Sequence, residues 1–494
     1  MNKEKICNLL LFILIFFVIL SIVILKPLDD LDEIWNYNFS RNIASGLVPY
    51  RDFNMVITPL LSIITGLILK ITFNELIIMR ILAAILCSTI IYISYKLFNL
   101  LEVKKEVAII FSFVIVCLFK DIFCIDYNYL SLLITLIIIY REIKLYKIDH
   151  EIIKCNIKQD VILGVLAGFA ILTKQTTGLL IAVVLLGNKL VFVRRKEQII
   201  VWFKSFLYRL SGIMIPMILF ITYLIINNAL SEFISYTILG ILEFSNKISY
   251  KTLIKLNFVG ALSVLVPITI IYEWIKTICL EKDKKLYFFL VYGIAMFAIC
   301  FPISNKIHFL IGGLPIIILI FYELYLLIRI MNNKINKFNK AKLFVLLMLN
   351  SILVMWSIYY SISNFYDYFE KRENYSNLKH FSYIPIDKGL ENQINNITKY
   401  IKKEENVKIL NSSAAIYMIP LDKYNKDYDM FNKGNFGYNG EKRLIEQIQQ
   451  STNIKYLILK DEYGRNWQTP INIVDYVKEN KIKTGEIEIY NIYE

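Results

Sequence analysis

Cysteine and histidine are scarce in this chain of 494 residues, and several common catalytic motifs are missing. The seven cysteines all lie at or before Cys300, and no CxxC pair or Cys/His cluster occurs. The segment after Cys300 therefore has no disulfide framework, and the spacing of a zinc site is lacking. No P-loop, GxGxxG or GxSxG motif occurs either. These absences argue against nucleotide hydrolysis and serine hydrolase chemistry.

Apolar residues, in contrast, are abundant. They make up 56% of the chain, and the mean hydropathy is +0.52. A soluble protein of this size does not carry so many long runs of Ile, Leu and Phe, so we expect a polytopic membrane protein that is mainly α-helical. About eleven runs reach the length of a membrane helix, at roughly 6–25, 77–99, 107–120, 124–140, 161–173, 175–193, 206–226, 256–275, 287–301, 309–328 and 343–363. We expect the first to be a retained signal anchor.

The net charge of +14 lies entirely in the membrane portion, because residues 364–494 contain equal numbers of basic and acidic residues. The excess is concentrated in short loops, such as 194–209 and 329–342. This is the positive-inside pattern, which orients a membrane protein and does not indicate nucleic-acid binding. With eleven spans it places the N-terminus in the cytoplasm and the C-terminal segment outside the cell membrane.

Two segments outside the eleven spans complete the predicted architecture. Counting the apolar stretch 56–73 as a crossing would invert all later loops, so we expect a re-entrant or interfacial helix there. It belongs to a first external loop, 26–76. Residues 364–494 predict an extracytoplasmic α/β domain, after a membrane domain at 1–363. Its expected strands lie at 407–410, 454–459 and 486–492, and its expected helices at 387–404, 441–450 and 471–480.

The first external loop carries the most suggestive polar residues. Asp32 and Glu33 follow the first membrane helix directly, with Trp35 and Tyr37 close behind. A carboxylate held at a membrane surface suits a general base, and the aromatic rings suit a sugar platform. Arg51 lies beside an aspartate and would pair with it or contact a phosphate. The alternative is a solvated amphipathic segment with aromatic interface anchors.

Three further candidates lie between later apolar runs. Lys174 separates two apolar helices, where it would bind a phosphate or extend its ammonium group into the headgroup region. His308 opens a helix on the predicted external face, where a structural role is the alternative. Asp126 would cap the next helix, orient an acceptor or ligate a metal.

Five sequence elements resemble the GT-C superfamily of membrane glycosyltransferases, and in particular its protein O-mannosyltransferase and aminoarabinose-transferase branch. The similarity covers about residues 1–330, as an ordered set of sparse motifs. In the element that begins with Phe301-Pro302, bacterial relatives often have a charged residue after the proline, whereas this chain has Ile303-Ser304-Asn305 at that place. The elements are Asp32-Glu33, Thr58-Pro59-Leu60, Arg80, Gly164-x-x-x-Gly168 running to Thr173-Lys174, and Phe301-Pro302 with His308-Phe309-Leu310 and Pro315.

The resemblance implies sugar transfer from a polyprenyl-phosphate donor to a glycan, lipid or protein acceptor on the external face of a bacterial cell membrane. Asp32 and Glu33 are then the catalytic carboxylates, with Asp32 as the base. Lys174, Arg51 and His308 are the candidates for binding the donor phosphate. Asp126 is a weaker candidate for binding acceptor or metal. Some members use a divalent metal ion and others do not, so no cofactor is assigned.

Other functions remain open at this stage. A transporter or flippase for lipid-linked glycans would also be polytopic, but no inverted repeat is visible and the charged residues cluster on one predicted face. A surface-polysaccharide polymerase or ligase would use similar donors. A noncatalytic scaffold is a further alternative. The identities of the sugar and of the acceptor do not follow from the sequence.

Overall fold

The computed structural model describes residues 3–28, 31–149, 151–240, 247–333, 339–404, 406–461 and 468–494. Most of them are helical, as the apolar runs predict. The α-helices within these ranges are α1 Lys3–Ile24, α2 Leu31–Ala44, α3 Leu60–Ile71, α4 Leu76–Leu100, α5 Lys105–Phe119, α6 Tyr127–Asp149, α7 Ile157–Thr173, α8 Gln175–Gly187, α9 Lys196–Ile226, α10 Leu230–Ile234, α11 Phe258–Trp274, α12 Lys284–Phe297, α13 Lys306–Asn333, α14 Asn339–Glu370, α15 Lys388–Lys403, α16 Ala415–Met418, α17 Gly440–Gln450 and α18 Ile471–Asn480.

Membrane-spanning length is reached by seven helical segments of the described chain. They are Glu4–Ile24, Leu76–Leu100, Gln175–Phe192, Lys196–Ile226, Phe258–Cys279, Lys306–Ile330 and Val345–Asn374. The other four expected spans also coincide with helices, α5, α6, α7 and α12. Three of these have only 15, 17 and 14 residues, and α6 ends in charged residues. A count of about eleven spans therefore remains a prediction.

Helix α3 occupies most of the apolar stretch 56–73. Its 12 residues correspond to about 18 Å, which is well short of a hydrocarbon core of about 30 Å. One face packs on α2, where the hydroxyl groups of Ser40 and Thr65 are 2.7 Å apart. The opposite face exposes Leu67 and Ile71. This length agrees with a helix that does not cross the membrane, whereas its interfacial or re-entrant position remains a prediction.

The chain divides into two compact units. The first comprises residues 1–23, 83–219 and 247–365, and the second comprises 24–82, 220–246 and 366–494. The second unit thus contains the first external loop as well as the C-terminal segment. The sequence predicts a different division, into a membrane domain at 1–363 and a C-terminal domain at 364–494, and that division remains a prediction.

In the second unit, the C-terminal segment forms the expected α/β arrangement. Its four strands are ordered β1-β2-β4-β3, with β1 parallel to β2 and the other pairs antiparallel. The expected single strand at 486–492 is instead a hairpin, because the chain turns at Glu488, whose φ is +46°. The strands are β1 Val407–Ile409, β2 Lys455–Leu459, β3 Lys483–Ile487 and β4 Tyr490–Tyr493.

In the first unit, glycines allow α7 and α9 to cross in close contact. A Cβ atom at Gly164 would overlap the carbonyl oxygen of Arg209, and one at Gly212 would overlap that of Val161. Small residues at such a crossing let two backbones approach, which is a common way of packing membrane helices. The glycine-rich element that ends in Thr173-Lys174 is therefore the packing surface that fixes α7.

We predict that Gly164→Ala destabilises the protein, because the added methyl group forces α7 away from α9. Overpacking of this kind typically costs about 1–3 kcal/mol. The matched control is Gly187→Ala in α8, since a Cβ atom there meets nothing within 4 Å. The midpoint of thermal unfolding in detergent should fall for Gly164→Ala and should not fall for Gly187→Ala. Equal midpoints for the two variants would contradict the close crossing.

Candidate functional site

Glu33 and Arg80 form a buried ion pair in the second unit. Arg80 donates to both carboxylate oxygens, with Nε 3.0 Å from Oε1 and Nη2 2.9 Å from Oε2. The side chains are 3% and 0% exposed. The remaining Arg80 N–H groups donate to the backbone carbonyls of Ile24, Lys26 and Pro27. Since a guanidinium has five N–H donors, this arginine is saturated, and it ties the end of α1 to the start of α2.

Asp32 lies directly before Glu33, in the first turn of α2. It is half-buried, and its backbone carbonyl accepts a hydrogen bond of 2.8 Å from the side chain of Asn36. A negative charge at this position is stabilised by the positive end of the helix dipole. Two further aspartates close by in the sequence, Asp29 and Asp30, lie outside the described residues. The geometry thus gives the two neighbouring carboxylates different environments, one buried on Arg80 and one nearer the surface.

Arg51 pairs with its neighbour Asp52. Its Nε and Nη2 atoms each lie 2.8 Å from a carboxylate oxygen, and Nη1 donates to the carbonyl of Asn227. The hydrogen bonds from Arg51 are the main reason why the pKa of Asp52 lies below its usual value. A phosphate at Arg51 would have to compete with this bidentate pair. Binding of donor phosphate by Arg51 remains a prediction.

The aromatic residues of the first loop are used mainly as anchors. Tyr37 is fully buried, and its hydroxyl donates to the carbonyl of Asn74 at 2.7 Å. The Trp35 indole donates to the carbonyl of Ser412 at 3.0 Å. The expectation that Tyr37 offers its ring to a sugar is therefore wrong, because that ring is enclosed and packs near Phe381.

In the first unit, a polar cluster forms where α6 begins and where α7 meets α8. The Lys174 ammonium donates to the amide oxygen of Asn128 at 2.8 Å and lies 5.4 Å from the centre of the Tyr127 ring. Its charge also interacts with that of Asp126. Asp126 caps α6, since its Oδ1 accepts from the backbone N–H of Asn128 at 2.6 Å. Lys174 is the single non-helical residue between α7 and α8, and its hydrogen bond to Asn128 fixes the position of its ammonium group.

His308 belongs to the same polar cluster. Asn305 accepts from the His308 backbone N–H at 2.9 Å and lies 2.8 Å from its Nδ1 atom. Because the amide oxygen can only accept, Nδ1 carries the proton and Nε2 is left as an acceptor in the neutral ring. The imidazole is also close enough to Lys174 for their charges to interact. Lys174 thus interacts electrostatically with both Asp126 and His308 in the first unit, whereas Asp32, Glu33 and Arg51 belong to the second unit.

The arrangement offers little to a metal ion. No group of three or more His, Cys, Asp or Glu side chains within the described ranges could hold one. Both Glu33 oxygens already accept from Arg80, and one Asp126 oxygen caps α6. The described side chains therefore do not fit a metal site.

Two asparagines were overlooked by the sequence analysis. Asn128 holds the Lys174 ammonium, and Asn305 fixes the tautomer of His308. Local spacing carries a signal for both of them. Asn305 lies three residues before His308, which is the capping distance at a helix start, and Asn128 lies two residues after the capping Asp126. The contact of Asn128 with Lys174, 46 positions away, has no such signal.

We predict that Glu33→Gln strongly destabilises the protein, because it leaves the Arg80 charge buried and uncompensated. Breaking a buried ion pair in this way typically costs about 3–5 kcal/mol. The control Asp52→Asn breaks a pair near the surface, with Arg51 and Asp52 side chains that are 45% and 24% exposed, for which about 0–1 kcal/mol is typical. The double variant Glu33→Gln/Arg80→Gln should regain part of the loss when thermal midpoints are compared. If Glu33→Gln is as stable as Asp52→Asn, the pair does not hold the loop.

No family model matches the sequence, and no curated protein matches it. One similar solved structure is the crystal structure of the Archaeoglobus fulgidus oligosaccharyltransferase in complex with Zn and sulfate. The two chains are 12% identical, and the alignment covers 90% of this chain and 67% of the other, with a TM-score of 0.45.

Proposed function

We propose that the protein is a membrane glycosyltransferase of the GT-C type. It moves a sugar from a polyprenyl-phosphate donor to a glycan, lipid or protein acceptor on the external face of the membrane, in the modification of a cell-surface glycan or glycolipid. The resemblance to protein O-mannosyltransferases and aminoarabinose transferases suggests this reaction, and the contacts among the motif residues support it.

The observation that carries the proposal is the pairing of Glu33 with Arg80. These residues come from two separate motifs of the resemblance, 47 positions apart, and they meet in one buried ion pair. Their contact fixes the first turn of α2 and therefore Asp32. Two other motif residues, Lys174 and His308, interact electrostatically within the first unit. Two of the motifs thus converge on one segment, the start of α2, which carries Asp32.

Asp32 acts as the general base of the proposed transfer. The acceptor hydroxyl attacks the anomeric carbon and passes its proton to the Asp32 carboxylate. A bond forms between the acceptor oxygen and the anomeric carbon, while the bond from that carbon to the phosphate oxygen breaks. The electron pair leaves with the lipid phosphate. Glu33, whose two oxygens are occupied by Arg80, positions Asp32 and takes no proton.

Lys174 stabilises the negative charge that develops on the departing phosphate. A preorganised cation is most effective for this purpose, because it needs no rearrangement during the reaction. Asn128 provides the preorganisation by holding the ammonium group at 2.8 Å. His308, with Nδ1 bound to Asn305, contributes a ring of fixed orientation.

The proposed reaction requires the external face, and the distribution of basic loops supports this orientation. An engineered cysteine after Glu494 should react with an impermeant reagent in intact cells. Protection of that cysteine would reverse the assignment.

We predict that Asp32→Asn abolishes sugar transfer and lowers the thermal midpoint only slightly, because a charge in the first turn of a helix contributes about 0.3–1 kcal/mol. The amide keeps the shape of the carboxylate but cannot accept the proton, and losing a general base lowers rates by about 10²–10⁴-fold. The control is Asp475→Asn, which removes an exposed carboxylate from α18. A deletion strain complemented with each variant can be assayed by mass spectrometry of its surface glycans and lipid-linked sugars. Normal glycans with Asp32→Asn would remove this residue from the mechanism.

We further predict that Lys174→Ala impairs use of the donor much more than Lys174→Arg. Arginine keeps the charge but replaces a compact donor by a planar fork, so it should restore only part of the activity. Initial rates against a polyprenyl-phosphate sugar in detergent separate the variants. If the alanine variant matches the wild type in rate and apparent affinity, the lysine merely contacts headgroups or water.

A further inference from the structure

A cavity of about 500 Å³ lies beside the element that carries His308, within the first unit. One wall is the segment that leads into α11, and the other is the turn that leads into α13. Hydrogen bonds connect the walls, from the backbone N–H of Ile248 to the carbonyl of Pro302 and from that of Ser304 to the carbonyl of Ile248, each 3.1 Å long. The cavity is thus built between two fixed segments of the same unit.

Positive charge converges on this cavity from two helix starts. Lys255 and Lys306 both line it, and no carboxylate is among its described lining residues. Asn257 caps α11, and Asn305 caps α13. These helices have 17 and 28 residues, so each directs the positive end of a substantial dipole toward its first turn. Two ammonium groups beside two helix N-termini favour an anion, most directly a phosphate.

The lining of the cavity also has an apolar part. Phe258, which lines it, is 54% exposed. Ile254 and Leu256, which precede it on the same segment, are 55% and fully exposed. The cavity also lies at the first residues of two candidate spans, Phe258–Cys279 and Lys306–Ile330. At such a position, exposed apolar side chains meet lipid. A ligand that suits both parts has an anionic head and an apolar chain.

We propose that this cavity binds the phosphate group of a lipid phosphate, with Lys255 and Lys306 as its cations. This inference rests on the proposed function, in which the ligand is the sugar-free polyprenyl phosphate that is released as product after Lys174 has stabilised its departure. Asn305 connects the cavity to the polar cluster, because it lines the cavity and holds His308.

One existing contact competes with the proposed ligand. Lys306 pairs with Asp121 at 3.0 Å, with side chains that are 43% and 59% exposed. An exposed pair of this kind contributes little stability, so a phosphate can replace it. This competition predicts that one variant binds the phosphate more tightly than the wild type does. Asp121→Asn is that variant, because it removes the competing carboxylate and keeps both lysines.

The test is binding of a fluorescent polyprenyl phosphate to the full chain in nanodiscs of neutral lipid. Lys255→Gln and Lys306→Gln should each weaken binding about tenfold or more, the loss typical of one hydrogen bond to a charged group. Asp121→Asn should tighten binding. Lys251→Gln is the matched control, because this exposed lysine lies on the same segment and does not line the cavity. Equal affinities for all five proteins, the wild type included, would overturn the proposal.

Inorganic phosphate distinguishes the two sources of the anion. If the lipid phosphate is the ligand, inorganic phosphate should compete only at concentrations far above those of the lipid probe. Equally tight binding of inorganic phosphate would overturn the lipid assignment. Transfer assays separate this inference from the proposed function. If the wild type transfers sugar but the lysine variants bind the lipid phosphate as tightly as the wild type does, only the cavity proposal is refuted. If the lysine variants lose binding but the wild type transfers no sugar, only the glycosyltransferase proposal is refuted.

Discussion

The buried ion pair of Glu33 and Arg80 is the contact on which this account depends. Removing two charges from water is expensive, and the expense is offset only when every hydrogen-bonding group is satisfied. Here Arg80 uses all its N–H groups, two on Glu33 and the rest on carbonyls at the end of α1 and directly after it. A buried ion pair that adds little net stability still fixes the geometry around it, because any other arrangement leaves a charge without a partner in an apolar environment. Its consequence is the fixed start of α2, and with it Asp32.

The first unit obeys the same constraint. Arg209 is 1% exposed and pairs with Glu142 at 2.9 Å and with Asp160 at 2.8 Å. Its backbone carbonyl forms the surface against which Gly164 packs. A charged residue in a helix of membrane-spanning length must find its partners inside the protein, because lipid offers none. Internal pairing of charges and close glycine contacts therefore work together to hold α6, α7 and α9.

Local signals in the sequence predicted much of the fold. The C-terminal helices at 387–404, 441–450 and 471–480 agree closely with α15, α17 and α18, because their apolar residues recur at helical spacing. The strand expected at 486–492 was wrong, since the reversal at Glu488 has none of the usual glycine or asparagine signals. The helices shorter than 18 residues, such as α5, show why apolar length alone leaves the number of spans undecided.

The candidate site was less accessible to such reasoning. Motif resemblance selected Glu33 and Arg80, but no local pattern reveals that they pair across 47 positions. Tyr37 was expected to form part of a sugar platform, and only its burial separates an anchoring tyrosine from an exposed one. The sequence singled out Lys174, because a lysine between two apolar helices is costly in hydrocarbon. Its contact with Asn128 is visible only in the folded structure. The basic cavity at Lys255 and Lys306 likewise depends on two helix starts that meet only in three dimensions.

The most direct test of the central claim is the fate of the donor. The purified protein can be reconstituted in liposomes with a radiolabelled polyprenyl-phosphate sugar and membranes of a deletion strain as the source of acceptor. The account predicts loss of the labelled donor, release of sugar-free polyprenyl phosphate and an equimolar amount of label in a second product. Donor that stays intact, or that only moves from one leaflet to the other, would contradict a glycosyltransferase and would favour a transporter.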